Sequence, residues 1–264
     1  MRGLLAMLRR ASANHERMFR FMQSLSAHEQ GASVLRPGAE TVLVLAPHMD
    51  DEVLGCGGTL AAHADAGATI CAVYLTDGRY GAGPGSAPQA GLSAQRRAEA
   101  RRAAGVLGIE RQVFIDGAGH RLEYDRDAAG RLRALLSDLR PGIVYLPSFL
   151  ERHADHRATG DLLARAVRGL RLELECRSYE VWTPLVPNRI VDIDATLARK
   201  RSALECYSSQ LQHSDFGHFV FGLNAYRSSL LAGGACRYAE GFLCGSLADH
   251  LQMHRAFRRE CAPA

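Results

Sequence analysis

The stretch that decides the fold is Thr41-Val-Leu-Val-Leu-Ala46, which runs directly into Pro47-His-Met-Asp-Asp-Glu52. After its first residue the run is continuously apolar, which is typical of a parallel strand buried on both faces. A helical pattern follows and ends at Gly67, and a second strand-like run occupies 69–76. Strand, helix and strand in this order predict a βαβ unit whose strands lie parallel in one sheet.

The same alternation continues along most of the chain. Further strands are predicted at 111–116, 142–147 and 176–183, and helices at 51–66, 92–107, 127–139 and 155–170. The part from Leu197 onward is expected to be mostly helical and to pack on the same domain. The pattern predicts a single α/β domain with a doubly wound, mostly parallel sheet, right-handed crossovers and helices on both faces.

Composition narrows the class of protein. The chain has 264 residues, of which 47% are hydrophobic and 23% charged, a balance typical of globular proteins. No apolar run reaches the ~18 residues that a transmembrane helix needs, and the first ten residues lack a signal-peptide pattern. A cytoplasmic protein is therefore expected. A helix over 12–29 is predicted to pack on the main body, with peripheral membrane contact as the alternative.

Charge and cysteine usage point away from two further classes. The net charge is +4, and every basic residue except Lys200 is an arginine. No basic patch with interleaved aromatic residues occurs. Nucleic-acid binding is therefore not predicted. The seven cysteines are widely spaced and form no C-x-x-C pair, which argues against a disulfide framework and against a thiolate zinc site.

Four ionisable residues follow the first strand within five positions: His48, Asp50, Asp51 and Glu52. Ligands of open α/β sheets bind outside the carboxyl ends of the strands. Helix capping explains one of these acids but not all of them. Gly55-Cys-Gly-Gly58 suggests a dinucleotide site as the competing interpretation. In that motif, however, glycines follow the strand directly, whereas here acids occupy that place and would repel a pyrophosphate.

A second cluster, His153-Ala-Asp-His156, follows the strand predicted at 142–147. Both clusters belong to the same edge of a parallel sheet and are expected to meet. Two histidines and one aspartate with an open position are typical of a catalytic divalent-metal site, suited to Zn²⁺ and also to Fe²⁺ or Co²⁺. The predicted ligands are His48, Asp51 and His156. Asp50 is the predicted general base, His153 the proton donor or oxyanion partner, and Asp155 the residue that orients His153 and keeps it protonated.

These residues resemble the PIG-L (LmbE-like) family of metal-dependent sugar de-N-acetylases. The family has an A-H-P-D-D-E segment after its first strand, and this chain has Ala46-Pro-His-Met-Asp-Asp-Glu52. The second family motif, H-x-D-H, matches 153–156. Weaker family-like features are Gly55-x-Gly57-Gly58, Thr76-Asp77-Gly78, Arg96-x-x-Glu99, Tyr207-Ser-Ser-Gln210 and Tyr238-Ala-Glu240-Gly-Phe242. The resemblance spans about 41–242, and the two motifs are specific as a pair.

The resemblance implies a Rossmann-like domain, usually with zinc, that hydrolyses the N-acetyl group of N-acetylglucosamine-type sugars with metal-activated water. The expected substrate is a small amino sugar or a glycoconjugate. The family's site residues carry over to the same positions and roles as those predicted above. Residues 1–40 are then an N-terminal helical extension, and 41–264 form the deacetylase domain.

The chain departs from the family pattern at two positions. Met49 stands in place of the usual proline, and Glu151 stands where some relatives have a tyrosine that helps to bind the oxyanion. Tyr80 and Tyr207 are candidate substitutes for that tyrosine. Arg79 and Tyr80, in the glycine-rich loop over 77–91, are candidate substrate-binding residues.

Two alternative functions stay open at this point. One is a metal-dependent amidase that acts on a non-sugar or on a longer acyl chain, because the motifs do not describe the pocket walls. The other is a catalytically silent sugar-binding module. The intact set of ligands and base counts against the second alternative.

Overall fold

The computed structural model describes residues 32–80, 91–117, 122, 125–231 and 236–261. The strands within them are β1 (Ser33–Val34), β2 (Thr41–Ala46), β3 (Thr69–Thr76), β4 (Arg111–Gly117), β5 (Ile143–Pro147), β6 (Glu175–Tyr179), β7 (Arg189–Asp192) and β8 (Ala239–Ser246). The helices are α1 (Asp51–Asp65), α2 (Leu92–Leu107), α3 (Arg126–Leu139), α4 (Ala154–Ala166), α5 (Leu197–Glu205), α6 (Ser208–Leu211), α7 (Phe216–Ser228) and α8 (Leu247–Cys261). The helix predicted over 12–29 lies outside the described residues.

All eight strands form one sheet in the order β1-β7-β8-β6-β5-β2-β3-β4. Only β8 runs antiparallel to its neighbours, β6 and β7, among these pairings. β2 pairs with β3 on one side and with β5 on the other, so the chain reverses its direction of winding between β2 and β5. Such a switch point opens a crevice at the carboxyl ends of the two strands. The predicted α/β fold with a mostly parallel, doubly wound sheet is confirmed.

Both faces of the sheet are covered by helices. Val42 and Val44 of β2 point into one apolar core together with residues of α1 and α2. Leu43 and Leu45 point into a second core, which α3 and α4 close. Successive residues of a strand face opposite sides of the sheet, and the continuously apolar run of β2 therefore fits a strand between two helical layers.

The expectation that the chain is mostly helical after Leu197 is wrong for β8. This strand contains two glycines and Glu240, so its sequence has low β-propensity and no apolar alternation. Its position is set by pairing with β6 and β7 in the interior of the sheet. The short strands β1 and β7 were also not predicted. The strand predicted at 176–183 ends at Tyr179, and the helix predicted at 155–170 ends at Ala166.

Two further predictions concern membranes and cysteines. Among the described residues, no helix combines the length and the apolar character that a bilayer crossing requires. Six cysteines have described side chains, and all six are free thiols, as the wide spacing predicted.

Gly55 of α1 allows the helix to approach the sheet. A Cβ atom at this position would lie 2.1 Å from Cδ2 of the buried Tyr179. We expect Gly55→Ala to lower the free energy of unfolding by about 3 kcal/mol, because the tyrosine has no room to move. Gly105→Ala on α2 is the control, since nothing lies within 4 Å of its Cβ, and it should raise stability by about 0.5–1 kcal/mol. Urea unfolding of both variants measures the difference, and equal effects would contradict the packing argument.

Two histidines of α8, His250 and His254, are buried, and both rings pack against Phe149. Burial, with a smaller contribution from His254, lowers the pKa of His250 to about 3. Burial also lowers the pKa of His254. A histidine in the unfolded chain has a pKa of about 6.5. Below that pH the unfolded state therefore binds more protons than the folded state, and stability falls as the pH decreases from about 6.5 toward 3.

Replacing His250 with glutamine is expected to reduce this acid sensitivity. The stability of the wild type should fall more steeply below pH 6.5, by up to about 1.4 kcal/mol per pH unit for this one group. Urea unfolding between pH 5 and pH 8 provides the slopes. His213→Gln, at an exposed position, should retain the wild-type slope. Parallel curves for the wild type and His250→Gln would rule out the assignment.

Candidate active site at the switch point

The first motif forms the turn between β2 and α1. The backbone of Asp50 has φ 137°, a conformation that residues other than glycine rarely adopt. Thr76, at the end of β3, donates to the Pro47 carbonyl from both its backbone nitrogen and its hydroxyl, at 3.0 and 2.8 Å. The turn is thus held against the neighbouring strand. Strained backbone of this kind often occurs at functional sites, where the surrounding structure maintains it.

Asp51 lies between two histidines, one after the end of β2 and one after the end of β5. Its Oδ2 atom is 3.2 Å from Nδ1 of His48 and 3.2 Å from Nε2 of His156, which α4 brings from the end of β5. Ligand atoms bound at 2.0–2.1 Å in a tetrahedral zinc site are about 3.3 Å apart. The two distances from Asp51 to the histidines therefore match the spacing of metal ligands in such a site.

His156 supplies a second test of that fit. Its side chain is fully buried, and among the described residues neither of its ring nitrogens has a hydrogen-bond partner. Nε2 is within 3.2 Å of Asp51, yet the two atoms are not aligned for a hydrogen bond. Buried polar atoms in proteins are nearly always bonded. An orphaned imidazole nitrogen beside a carboxylate is suited to metal ligation.

The charges of the cluster are strongly coupled. Burial acts to lower the pKa of His156, but the adjacent Asp51 outweighs it and raises this pKa to about 10. Burial likewise acts to raise the pKa of Asp51, whereas His156 and His48 hold it well below its ordinary value. Histidine must lose its proton to ligate a metal. Metal affinity at this cluster should therefore weaken as the pH falls.

His153 and Asp155 complete the second motif. His153 caps α4, and its Nδ1 accepts a hydrogen bond from the Asp155 backbone at 3.2 Å. Burial, followed by the neighbouring His48 and His156, lowers the pKa of His153 to about 4. This lowered pKa favours the neutral ring near pH 7, whereas the sequence predicts a ring that Asp155 keeps protonated. The Asp155 carboxylate lies 3.2 Å from Nε2 of His48, and Asp51 lies 3.2 Å from Nδ1, so both nitrogens of that ring face carboxylates.

Asp50 lies beside the cluster and is itself buried. Its Oδ2 atom is 3.5 Å from the guanidinium of Arg96, which also donates to the Met49 carbonyl at 3.0 Å. Burial raises the pKa of Asp50 to about 7, although Arg96 acts against this rise and Asp51 adds to it. A carboxylate with a pKa near neutrality is suited to general-base chemistry.

Two residues of this region had no predicted role. Arg96 occupies the buried stripe of α2, in step with Leu92, Ala100 and Leu107. Arg96 shares this buried face with Glu99, and the Arg96-x-x-Glu99 pattern was the available signal. Glu52 is fully buried and accepts hydrogen bonds from the hydroxyls of two tyrosines, Tyr74 and Tyr207.

Tyr207 is therefore unsuited to the oxyanion role considered for it. Its side chain is fully buried, and its hydroxyl donates to the carboxylate of Glu52, which is buried as well. Glu151, at the position of the family tyrosine, has a structural partner set of its own. Its carboxylate accepts the backbone N–H groups of Val181, Trp182 and Thr183 at 2.7–3.2 Å. It thus fastens the loop after β6 to the loop after β5.

The two candidate substrate residues lie at the end of β3, beside the switch point. The side chain of Arg79 is 56% exposed and forms an ion pair with Asp77. Tyr80 is half-buried and adjoins residues 81–90, which lie outside the described part of the chain. The part of both residues in substrate binding stays a prediction.

The chain is similar to known deacetylases. It is 30% identical over 185 residues to the diacetylchitobiose deacetylase of Thermococcus kodakarensis, covering 64% of this chain and 69% of that protein. It is 29% identical over 188 residues to a probable N-acetyl-alpha-D-glucosaminyl L-malate deacetylase 2 of Bacillus anthracis, covering 64% and 80%. The solved N,N'-diacetylchitobiose deacetylase of Pyrococcus horikoshii superimposes with a TM-score of 0.69 at 25% identity, covering 88% and 92%.

The family match coincides with the site. Residues 43–167 match the family described as PIG-L: GlcNAc-PI de-N-acetylase, and this range contains both motifs. The similarity to the Thermococcus enzyme and the fold shared with the Pyrococcus enzyme agree with it. The chain belongs to the PIG-L family of de-N-acetylases.

Proposed function

We propose that this enzyme is a zinc-dependent N-deacetylase that removes the acetyl group from an N-acetylglucosamine-type sugar or glycoconjugate. The observation that carries the proposal is the contact of the Asp51 carboxylate with both His48 and His156. The curated relatives support it, since their names describe deacetylation of diacetylchitobiose and of a glucosaminyl malate.

His48, Asp51 and His156 are the proposed ligands. Proximity alone would also group His153 with the other two histidines, because their ligand atoms lie within 4.8 Å of one another. We prefer Asp51, since it is 3.2 Å from both histidines and Nδ1 of His153 is already occupied by a backbone N–H. Two histidines and a carboxylate suit Zn²⁺, and Fe²⁺ accepts the same ligands.

The remaining residues of the two motifs are assigned by position. A bound metal would lower the pKa of a water molecule and polarise the amide carbonyl. Asp50 takes the proton of the attacking water, and Arg96 holds the carboxylate in place. His153, neutral and half-buried, hydrogen-bonds the amide oxygen as negative charge develops on it. The water oxygen bonds to the amide carbon, the C–N bond then breaks, the proton held by Asp50 passes to the nitrogen, and acetate and the free amine leave.

Asp155 is assigned to His48. Its carboxylate faces Nε2 of that ring, and a carboxylate on the far nitrogen fixes the orientation and tautomer of a ligating histidine. Nδ1 is then left for the metal. Arg79 and Tyr80 are proposed to contact sugar hydroxyls from the end of β3. The free thiols fit a reducing compartment and support a cytoplasmic location.

Metal content and acetate release test the proposal together. Zinc-replete protein is analysed for metal and assayed on N-acetylglucosamine, its simple glycosides and diacetylchitobiose, with chelator-treated protein as the control. About one zinc per chain with acetate release supports the proposal. Metal without acetate, but with hydrolysis of longer-acyl or non-sugar amides, favours the alternative amidase. Sugar binding without turnover favours the silent module, and protein that binds no metal overturns the proposal.

A further inference from the structure

The helix that carries Asp51 is broken one turn after the motif. Within α1, Cys56 has φ −147° and ψ 19°, which are not helical. The break separates a short segment, 51–55, from the rest of the helix. In a regular α-helix the Gly58 N–H would donate to the Leu54 carbonyl. The direction of the short segment, and with it the position of Asp51, depends on what occupies this break.

A buried ion pair occupies it. Lys200 of α5 donates from Nζ to the Leu54 carbonyl at 3.1 Å and to Oε1 of Glu240 at 2.7 Å. Glu240 of β8 in turn accepts the N–H groups of Gly58 at 3.0 Å and Thr59 at 2.8 Å. The two charged side chains are thus inserted between the donor and the acceptor of a helical hydrogen bond. Insertion of this kind is a recognised cause of helix kinks.

The chemistry of Lys200 matches this position. An ammonium group has three donors on one nitrogen, and Nζ has three acceptors: Leu54 O, Glu240 Oε1, and Oδ1 of Asn224 at 2.9 Å. A planar guanidinium spreads its donors over a wider fork. Lys200 is also the one lysine in a chain that otherwise uses arginine.

Gly57 makes room for the inserted lysine. A Cβ at Gly57 would lie 3.3 Å from Cγ of Lys200. The glycine at this position therefore lets the lysine stem cross the helix at the break. Both charged side chains are fully buried, and a buried ion pair adds little net stability compared with apolar residues of the same size. Its retention here is better explained by the geometry that it imposes.

We propose that the Lys200–Glu240 pair is a positioning device for the metal site. It sets the angle between segment 51–55 and the rest of α1, and thereby places the Asp51 carboxylate against His156. Within the described part of the chain, no hydrogen bond or ion pair joins Lys200 or Glu240 to the histidine cluster. The inference rests on the proposed function, because it takes Asp51 as a metal ligand.

Glu240→Gln is the first test variant. The glutamine amide has one acceptor oxygen, yet it would face four donors: the N–H groups of Gly58 and Thr59, the Thr59 hydroxyl and Lys200. Its NH₂ group would therefore meet another donor, and the break would have to change shape. The matched control is Glu180→Gln, which disrupts the buried Arg227–Glu180 pair between α7 and the loop after β6.

The experiment is a Co²⁺ titration of metal-free protein, at a temperature where circular dichroism shows every variant folded. Affinity is measured by competition with a chelator, and ligand geometry by the visible absorption of bound Co²⁺. We expect Glu240→Gln to weaken affinity by about 10-fold or more and to change the spectrum. Glu180→Gln should keep the wild-type Co²⁺ affinity and spectrum, even if its thermal unfolding midpoint falls by as much as that of Glu240→Gln.

A second variant, Lys200→Met/Glu240→Leu, removes both charges and so leaves no lone buried charge that would prevent folding. It should show the same loss of affinity and the same spectral change. Wild-type affinity and spectrum in folded Glu240→Gln, or in the double variant, would overturn the inference while leaving the metal site intact. Wild-type protein that binds no Co²⁺ would instead overturn the metal site itself, and the inference with it.

Discussion

Replacing His156 with alanine is expected to abolish metal binding and acetate release together. The ring is fully buried and 3.2 Å from Asp51, and its removal takes away one of the three proposed ligands. Metal polarisation of the substrate is worth several kcal/mol, so acetate release should fall by about 10³-fold or more. Metal content by mass spectrometry should fall from about one zinc per chain to less than about one tenth of that.

His153→Ala is the comparison variant, because it distinguishes a metal ligand from a residue that contacts the substrate. The ring of His153 lies beside those of His48 and His156, at centroid distances of 4.7 and 5.0 Å. We assign it to the substrate rather than to the metal, so this variant should retain zinc while losing activity. Zinc loss in His153→Ala, with zinc retained in Asp51→Ala, would show that the ligand set has been assigned incorrectly.

Replacing Asp50 with asparagine should separate catalysis from metal binding. Asparagine has nearly the same shape and tolerates positive φ better than most residues, which matters because φ is 137° at this position. It cannot accept the proton of the attacking water. We expect zinc content to stay at the wild-type level and kcat to fall by about 10²–10⁴-fold, the range for loss of a general base.

Steady-state kinetics with a metal analysis of the same sample measures this effect. Asp138→Asn on α3 is a suitable control, because that carboxylate is 69% exposed and should leave kcat unchanged. Full activity in Asp50→Asn would remove Asp50 from the base role. Loss of zinc in that variant would instead mean that Asp50 belongs to the ligand set.

The parts of the fold that the sequence predicts are those with a local signal. β2 is a continuous apolar run. The helices of the βαβ pattern end at glycines, as at Gly67 and Gly108, or before a proline, Pro141. The position of both motifs at one sheet edge follows from the rule for parallel strands. β8 had no such signal, because two glycines and a glutamate interrupt its sequence. Its strand conformation depends on pairing with β6 and β7 on either side.

The same limit applies to the candidate site. The types and spacing within each motif identified the candidate ligands. Contacts between distant residues could not be read from spacing: Asp155 faces His48 across 107 positions, and Glu240 reaches Gly58 across 182. Buried charge was the clue that remained, as with Arg96 on the buried face of α2 and Glu240 in an interior strand.

The place of β8 in the sheet has a consequence for folding. β7 and β1 join the rest of the sheet only through β8 among the described pairings, although β1 lies near the start of the chain. β1 and β7 can pair with each other, but they join β2–β6 only once residues 239–246 are in place. Pulsed hydrogen exchange should therefore find amide protection in β1 and β7 after that in β2 and β3. Since Glu240 arrives on the same strand, the helix that carries Asp51 acquires its final form in that last step.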